Sequence, residues 1–541
     1  MVSSISNYSA IPQNPEEARD VREARRSPNI KLFRIGTAVL ACLAGIALVG
    51  AAVVLFTDQK PAKRNVIMMI SDGFGPASET YARQYHGWRL NLPPKSLLPL
   101  DNIHVGHSRT QSSSSLVTDS AAGATAFSCA HKSYNGAIGV YPDKSPCGTV
   151  LEAAKLQHDM ITGLVVTSRI THATPGAFSA HVDHRDKENQ IAEQQLGYNP
   201  LGRVVDLMFG GGECEFLSNL TEGSCRTDQR DLLSDGARDF GWSFIRSKQD
   251  FDTLDDSVSL PLAGLFAPSH MSYEIDRNDK RQPSLREMTT KALSILNKAS
   301  KDADRGFFLM IEGSRIDMAA HSNDPAAHVH DIWEYHQTAE AVLEFAKSHP
   351  NTVVISTSDH ETGGLTVGRQ VGEDYPEYKW NPIVISRVRN STEVLAQAWN
   401  TAHQENIASA DFLSKVIIEN GLGIEDATEE EIERLLSWKA GEDSVDDFGY
   451  ILADMVSRRA LIGWTTHGHT AVDVNLYAYG PGTEELHGSH ENTDIGDFIA
   501  SYLGLDLAAV TRELQSDPEL MTFAAEGSQP IPPSRHERFY D

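Results

Sequence analysis

Positive charge is in short supply in this chain. Its 47 Lys and Arg face 74 Asp and Glu, a formal net charge of −27 at pH 7. A nucleic-acid partner needs a basic face, so that class of function is excluded. An anionic substrate is not excluded, but its site must build positive potential locally, from arginine or metal ions. Cysteine is scarce too, with five in 541 residues. One of them, Cys42, falls in the single long stretch that lacks charge altogether, IGTAVLACLAGIALVGAAVVLF at 35–56. Twenty-two uncharged residues are enough to span a bilayer. A secretory signal would have a shorter apolar region nearer Met1, and a buried core helix would carry a polar face. Arg22, Arg25, Arg26, Lys31 and Arg34 precede the stretch, and Lys60, Lys63 and Arg64 follow it. That bias places the polar tail 1–34 in the cytosol and everything after the span in a lumen or outside the cell.

The remaining cysteines agree with that topology. Cys129, Cys147, Cys214 and Cys225 are an even number, as two disulfides require. Local pairing, Cys129–Cys147 and Cys214–Cys225, is the expectation among three connectivities. Asn219-Leu-Thr221 and Asn390-Ser-Thr392 are glycosylation sequons on the same side.

Apolar runs at 65–71, 160–168, 306–312, 352–358 and 474–479 are continuous rather than alternating, so both faces of each strand are expected to be covered. Helical patterns such as 285–300 and 328–347 lie between them. The fold class this implies is α/β: a three-layer α/β/α sandwich around a large, mostly parallel sheet. The less apolar stretch 365–463 is read as an inserted subdomain, with Glu429, Glu430 and Glu431 on a solvated helix face. The proline-bearing end, 515–541, is read as an unstructured tail.

In such sheets, ligands sit beyond the carboxyl ends of the strands. The runs end in Ser71-Asp72-Gly73, in Arg169 leading to Thr171-His172-Ala173-Thr174, in Glu312-Gly313, and in Asp359-His360. Asp317 and His321, four apart, project to one side of a helical turn. With His469 they offer two histidines and a carboxylate, an open zinc site. Asp359, His360 and Asp72 offer a second site. Thr174 and Glu312 are hard oxygen ligands suited to magnesium. Any one of these histidines alone is more often a hydrogen-bonded structural residue; the set carries the argument. One further stretch, VTDSAAGATA at 117–126, sets Asp119 and Ser120 before a run of small residues. Read alone, it is a serine N-cap opening an alanine-rich helix. Small side chains there also let a helix terminus, with its free N–H groups, approach an anion.

Six motifs occur in order: SDGFGPAS, VTDSAAGATA, HATPGAFSAHVDHR, EGSRIDMAAH, SDHETGG and HGHTAVDV. Together they resemble the alkaline phosphatase family over roughly 65–505, and the N-terminal apolar stretch makes the chain most similar to the membrane-anchored, fungal vacuolar branch. The resemblance implies hydrolysis of a broad range of small phosphate monoesters through a phosphoserine. Ser120 matches the nucleophile, Arg185 the phosphate-binding arginine, and Asp119 the acid that orients it. Two Zn2+ and one Mg2+ per subunit are implied. Asp317, His321 and His469 match the first zinc. Asp72, Asp359 and His360 match the second. Asp72, Thr174 and Glu312 match magnesium, with Asp72 bridging. His469 rather than His467 keeps the family's spacing to Gly480-Pro481. A homodimer, a crown-like role for the insertion, a vacuolar location and a removable C-terminal propeptide are further implications. His172 and Met318 depart from the best-known bacterial pattern, which has an aspartate and a lysine there; tightness of magnesium and hold on phosphate are the properties in question. Relatives acting on phosphodiesters or sulfate esters share the metal-site acids and histidines, but lack the combination of serine, threonine and arginine found here.

Overall fold

The continuous apolar runs are strands because each buries side chains on both faces. Asn65–Ile70, Phe307–Glu312 and Thr352–Thr357 are buried at every position, and each fully buried Val, Ile or Met contributes roughly 1.5–3 kcal/mol. The computed structural model describes residues 63–301, 306–518 and 520–522. The apolar stretch 35–56 and the tail 1–34 lie outside the described residues. Among those described, no helix is long and apolar enough to cross a membrane.

Ten strands form one sheet. Its order is Gly488–Glu491, His104–Arg109, Val474–Tyr479, Thr352–Thr357, Asn65–Ile70, Phe307–Glu312, Ile161–Arg169, Leu207–Gly211, Leu262–Leu265 and Ser243–Ile245. Every neighbouring pair runs parallel except the two made by Val474–Tyr479. The pleat sends alternate residues into different cores. Ile67 and Met69 pack with helices Leu285–Lys301 and Pro325–Ser348. Val66, Met68 and Ile70 pack with helices Ser120–Cys129, Val150–His158 and Asn492–Leu503.

The chain leaves this frame at Thr366–Val367 and returns at Ile462–Gly463, and these two segments pair antiparallel. Between them lie helices Thr392–Gln404, Glu429–Leu436 and Val445–Ala460. Their Leu395, Trp399, Phe448 and Leu452 join the same core cluster as Ile67. Glu431 is not a purely solvated acid, since it receives Arg459 at 2.7 Å. Disulfides close Cys129–Cys147 and Cys214–Cys225, the local pairing expected. Packing continues past residue 515: Leu520 is buried with Ala153, Val510 and Leu514. The tail from 523 lies outside the described residues.

Candidate active site and metal centre

The site gathers where the central strands end. Asp72 follows Asn65–Ile70, Glu312 closes Phe307–Glu312, and Asp359 and His360 follow Thr352–Thr357. Helix Ala173–Ser179, after Ile161–Arg169, brings Thr174. Helix Arg315–His321 brings Asp317 and His321, and the segment His469–Thr470 brings His469. Gly73 turns the chain at φ +72°, and a Cβ there would lie 2.7 Å from the Asp317 Cα. Only glycine lets the Asp72 and Asp317 segments approach this closely.

Asp119, not Ser120, is the cap of the alanine-rich helix. Its Oδ1 accepts from the Ala122 N–H at 3.0 Å, and Ser120 is the first helical residue. Asp119 has the extended backbone a cap needs, and its carboxylate reaches the third N–H, leaving the serine hydroxyl free. The other Asp119 oxygen accepts from the Gly136 N–H at 2.9 Å and from Arg185 Nη1 at 3.1 Å. One carboxylate therefore fixes both the helix terminus and the arginine. Arg185 Nη2 lies 3.2 Å from His172 Nε2. Ser120 Oγ lies 3.1 Å from His360 Nε2.

Two subclusters surround that serine. In the first, His321 Nε2 lies 3.2 Å from Asp317 Oδ2, and His469 Nε2 lies 3.1 Å from His321 Nε2. Each imidazole is held from behind by a backbone carbonyl: His321 Nδ1 meets His467 O at 2.5 Å, and His469 Nδ1 meets Thr118 O at 2.8 Å. Donation from Nδ1 leaves the Nε2 lone pairs facing each other and Asp317, as ligands of a shared cation would be. In the second, His360 Nε2 lies 3.4 Å from both Asp72 Oδ1 and Asp359 Oδ2. Behind it, ligand atoms of Asp72, His172 and Glu312 fall within 4.8 Å of one another.

No well-formed hydrogen bond meets either oxygen of Asp72, Oδ2 of Asp359, Oε1 of Glu312 or Oγ1 of Thr174, all buried. Burial pushes the Glu312 carboxyl up to about 8 and the Asp359 carboxyl up to about 7. Burial, then the charges of Asp359, Asp317 and Glu312, raises Asp72 well above the usual range. Burial also opposes the Asp317 charge, but His321 and His469 beside it hold it well below that range. Burial pushes His469 down to about 4. Carboxylates this close and this dry do not ionise together unless a cation sits among them. The donor set fits cations: histidine nitrogens with carboxylate where zinc is suited, and oxygen-rich where magnesium is suited.

The family model described as Alkaline phosphatase matches residues 63–505. The chain belongs to the alkaline phosphatase family. It is 48% identical over 463 residues to an alkaline phosphatase of Schizosaccharomyces pombe, with 85% of each chain covered. It is 48% identical over 487 residues to the repressible alkaline phosphatase of Saccharomyces cerevisiae, covering 86% of this chain and 85% of that one. The crystal structure of a cold-active alkaline phosphatase from Shewanella sp. superposes with a TM-score of 0.68 at 30% identity, over 81% of this chain and 99% of that one. The protein is thus an enzyme that hydrolyses phosphate monoesters, and metal binding accords with its family.

All eleven site residues expected in this phosphatase converge on one region. Sequence reasoning passed over two groups that hold the phosphatase site together. One is the His467 carbonyl, which no side-chain pattern reveals. The other is Thr362, whose Oγ1 lies 2.5 Å from Asp317 Oδ1 and 3.1 Å from His360 Nδ1. Its signal was present: in an extended segment, residues two apart share a side, and Thr362 is two beyond His360. Met318 lies in a small apolar cluster with Tyr273, Ala319 and Ala327.

Proposed function

We propose that this phosphatase works through a phosphoserine on Ser120, in a centre of two Zn2+ and one Mg2+. Asp317, His321 and His469 would hold the first zinc; Asp72, Asp359 and His360 the second; Asp72, Thr174 and Glu312 the magnesium. The observation that carries this reading is the meeting of Ser120 Oγ and His360 Nε2 at 3.1 Å, among buried carboxylate oxygens that lack hydrogen-bond donors. When bound, such ions supply Lewis-acid stabilisation of the attacking and departing oxygens.

The chain's own groups do the rest. Arg185, fixed through Asp119, grips two phosphate oxygens with its planar fork. The free N–H groups opening helix Ser120–Cys129 face the same anion. Ser120 Oγ attacks phosphorus in line, the P–O bond to the alcohol breaks, and the alcohol leaves with a proton. Water then attacks the phosphoserine in line, inorganic phosphate departs, and Ser120 recovers its hydroxyl proton. Nothing in this scheme grips the alcohol, so breadth among monoesters follows. His172 beside Arg185 ties the arginine to the magnesium position, and with Met318 it bears on how tightly magnesium and phosphate are held.

The wider setting is part of the same reading. Residues 35–56 form a single-pass anchor with the N-terminus cytosolic and the catalytic domain, 65–505, lumenal, in the vacuole. Residues 365–463 act as a crown-like inserted subdomain and the end of 515–541 as a removable propeptide. The enzyme is a homodimer, glycosylated at its sequons, of which exposed Asn219 is the more accessible. Metal analysis of purified enzyme, with hydrolysis of p-nitrophenyl phosphate, a phosphodiester and a sulfate ester, tests the core of this. Monoester hydrolysis lost on chelation and restored by zinc with magnesium is expected. Full activity in metal-free enzyme would overturn it.

A further inference from the structure

Thr362 sits at the crossing of four site segments. It is fully buried, and its backbone N–H donates to Gly73 O, next to Asp72, at 3.3 Å. Across the antiparallel pairing of Glu361–Thr362 with His469–Thr470, its partner is His469. Its hydroxyl reaches Asp317 at 2.5 Å and His360 at 3.1 Å. A threonine hydroxyl has one proton and two lone pairs. A carboxylate oxygen accepts, and the Thr362 hydroxyl is placed to donate its proton to Asp317 Oδ1. The hydroxyl oxygen must then accept from His360 Nδ1–H. That fixes the His360 tautomer and leaves its Nε2 lone pair aimed at Ser120, Asp72 and Asp359. The polarity runs one way, from His360 through Thr362 to Asp317.

We propose that Thr362 is a positioning residue that couples the two zinc positions. Through one hydroxyl it orients a ligand of each: the Asp317 carboxylate of the first and the His360 imidazole of the second. The proposal rests on the metal reading above. Its chemistry predicts joint behaviour: loss of the hydroxyl weakens both positions, whereas loss of a single ligand weakens mainly its own.

The test is zinc affinity, measured by competition with a chelating indicator, on wild type, Thr362→Val and Thr362→Ser, with circular dichroism as the control on folding. Valine keeps the shape and removes the hydroxyl; serine keeps the hydroxyl. Removing a group that orients metal ligands weakens binding about 10–100-fold. Thr362→Val is expected to lose that factor at both positions, and Thr362→Ser to bind like wild type. If valine prevents folding, Thr362→Ala is measured in its place, with the same expected loss. Wild-type affinity at both positions in a hydroxyl-free variant overturns the proposal, and so does weakening confined to one position. Failure of the wild type itself to bind zinc would defeat the metal reading and this proposal with it. A wild type that binds zinc beside an unaffected variant defeats the proposal alone.

Discussion

Replacing Gly123 by alanine puts one methyl group where the site has no room for it. Gly123 lies in the first turn of helix Ser120–Cys129, and a Cβ there would lie 2.9 Å from Asp359 Cβ and 3.4 Å from Asp359 O. Ordinary carbon contacts are about 3.5–4.0 Å, so the helix terminus and Asp359 must separate by roughly 0.6–1.1 Å. Alanine also gains roughly 0.8–1.0 kcal/mol of helix propensity over glycine, against overpacking of about 1–3 kcal/mol. The net destabilisation is therefore small, about 0–2 kcal/mol. Catalysis has no such offset, because in the proposed mechanism Ser120 attacks phosphorus and Asp359 would hold the adjoining cation. A misplacement near 1 Å costs on the order of 100-fold in rate. Thermal unfolding, together with turnover of p-nitrophenyl phosphate in saturating metal, separates the two effects. Gly87, in helix Pro76–Arg89 with nothing within 4 Å of its would-be Cβ, is the control. Its alanine variant is expected to be slightly stabilised and fully active. A Gly123→Ala enzyme turning over at the wild-type rate would refute the argument that small residues keep this terminus close to the metals.

Three further outcomes follow from the site. Ser120→Ala is expected to keep its metal and fold while losing several powers of ten in turnover, with residual hydrolysis from Arg185 and the ions; near-normal turnover would remove Ser120 from the chemistry. Metal analysis should find Asp317→Ala depleted chiefly of zinc and Glu312→Ala chiefly of magnesium, and unchanged content in either would take that residue out of its site. Without cations, Asp359 and Glu312 titrate at about 7 and about 8 in the folded chain, against about 4 when unfolded. In the folded apoprotein these two carboxylates hold protons that the unfolded chain has released, so their contribution to stability falls as pH rises through about 7 and about 8, while histidines held low, such as His469, oppose that trend only below about pH 6.5. Melting after chelation should occur at lower temperature at pH 8.5 than at pH 7, with the metal-loaded enzyme free of this trend; equal apoprotein melting temperatures would contradict it.

What was legible in the sequence follows from burial. The five strands read as apolar runs are those covered on both faces, or nearly so, such as Asn65–Ile70 and Phe307–Glu312. Gly488–Glu491 at the sheet's edge and His104–Arg109 beside it are polar and partly exposed, so no hydrophobic pattern marks them. Leu207–Gly211 hides in the glycines of a run that reads as a turn. Leu262–Leu265 and Ser243–Ile245 are too short to show a period. Nor does composition reveal that Val474–Tyr479 runs against its neighbours. The site's acids and histidines were legible because open α/β sheets place ligands at strand ends. The cap was misassigned because Asp119 and Ser120 are both good caps, and only the backbone at Asp119 decides between them. Thr362 was passed over because its one signal, a place two residues beyond His360, is shared by every residue so spaced in an extended segment.

The central claim is that phosphate passes through Ser120. It is tested most directly by the stereochemistry of transfer from a chiral phosphate monoester to an acceptor alcohol. Two in-line displacements, one by Ser120 and one by the acceptor, each invert phosphorus, so the account predicts overall retention. A single direct displacement would invert it, and inversion would contradict the account.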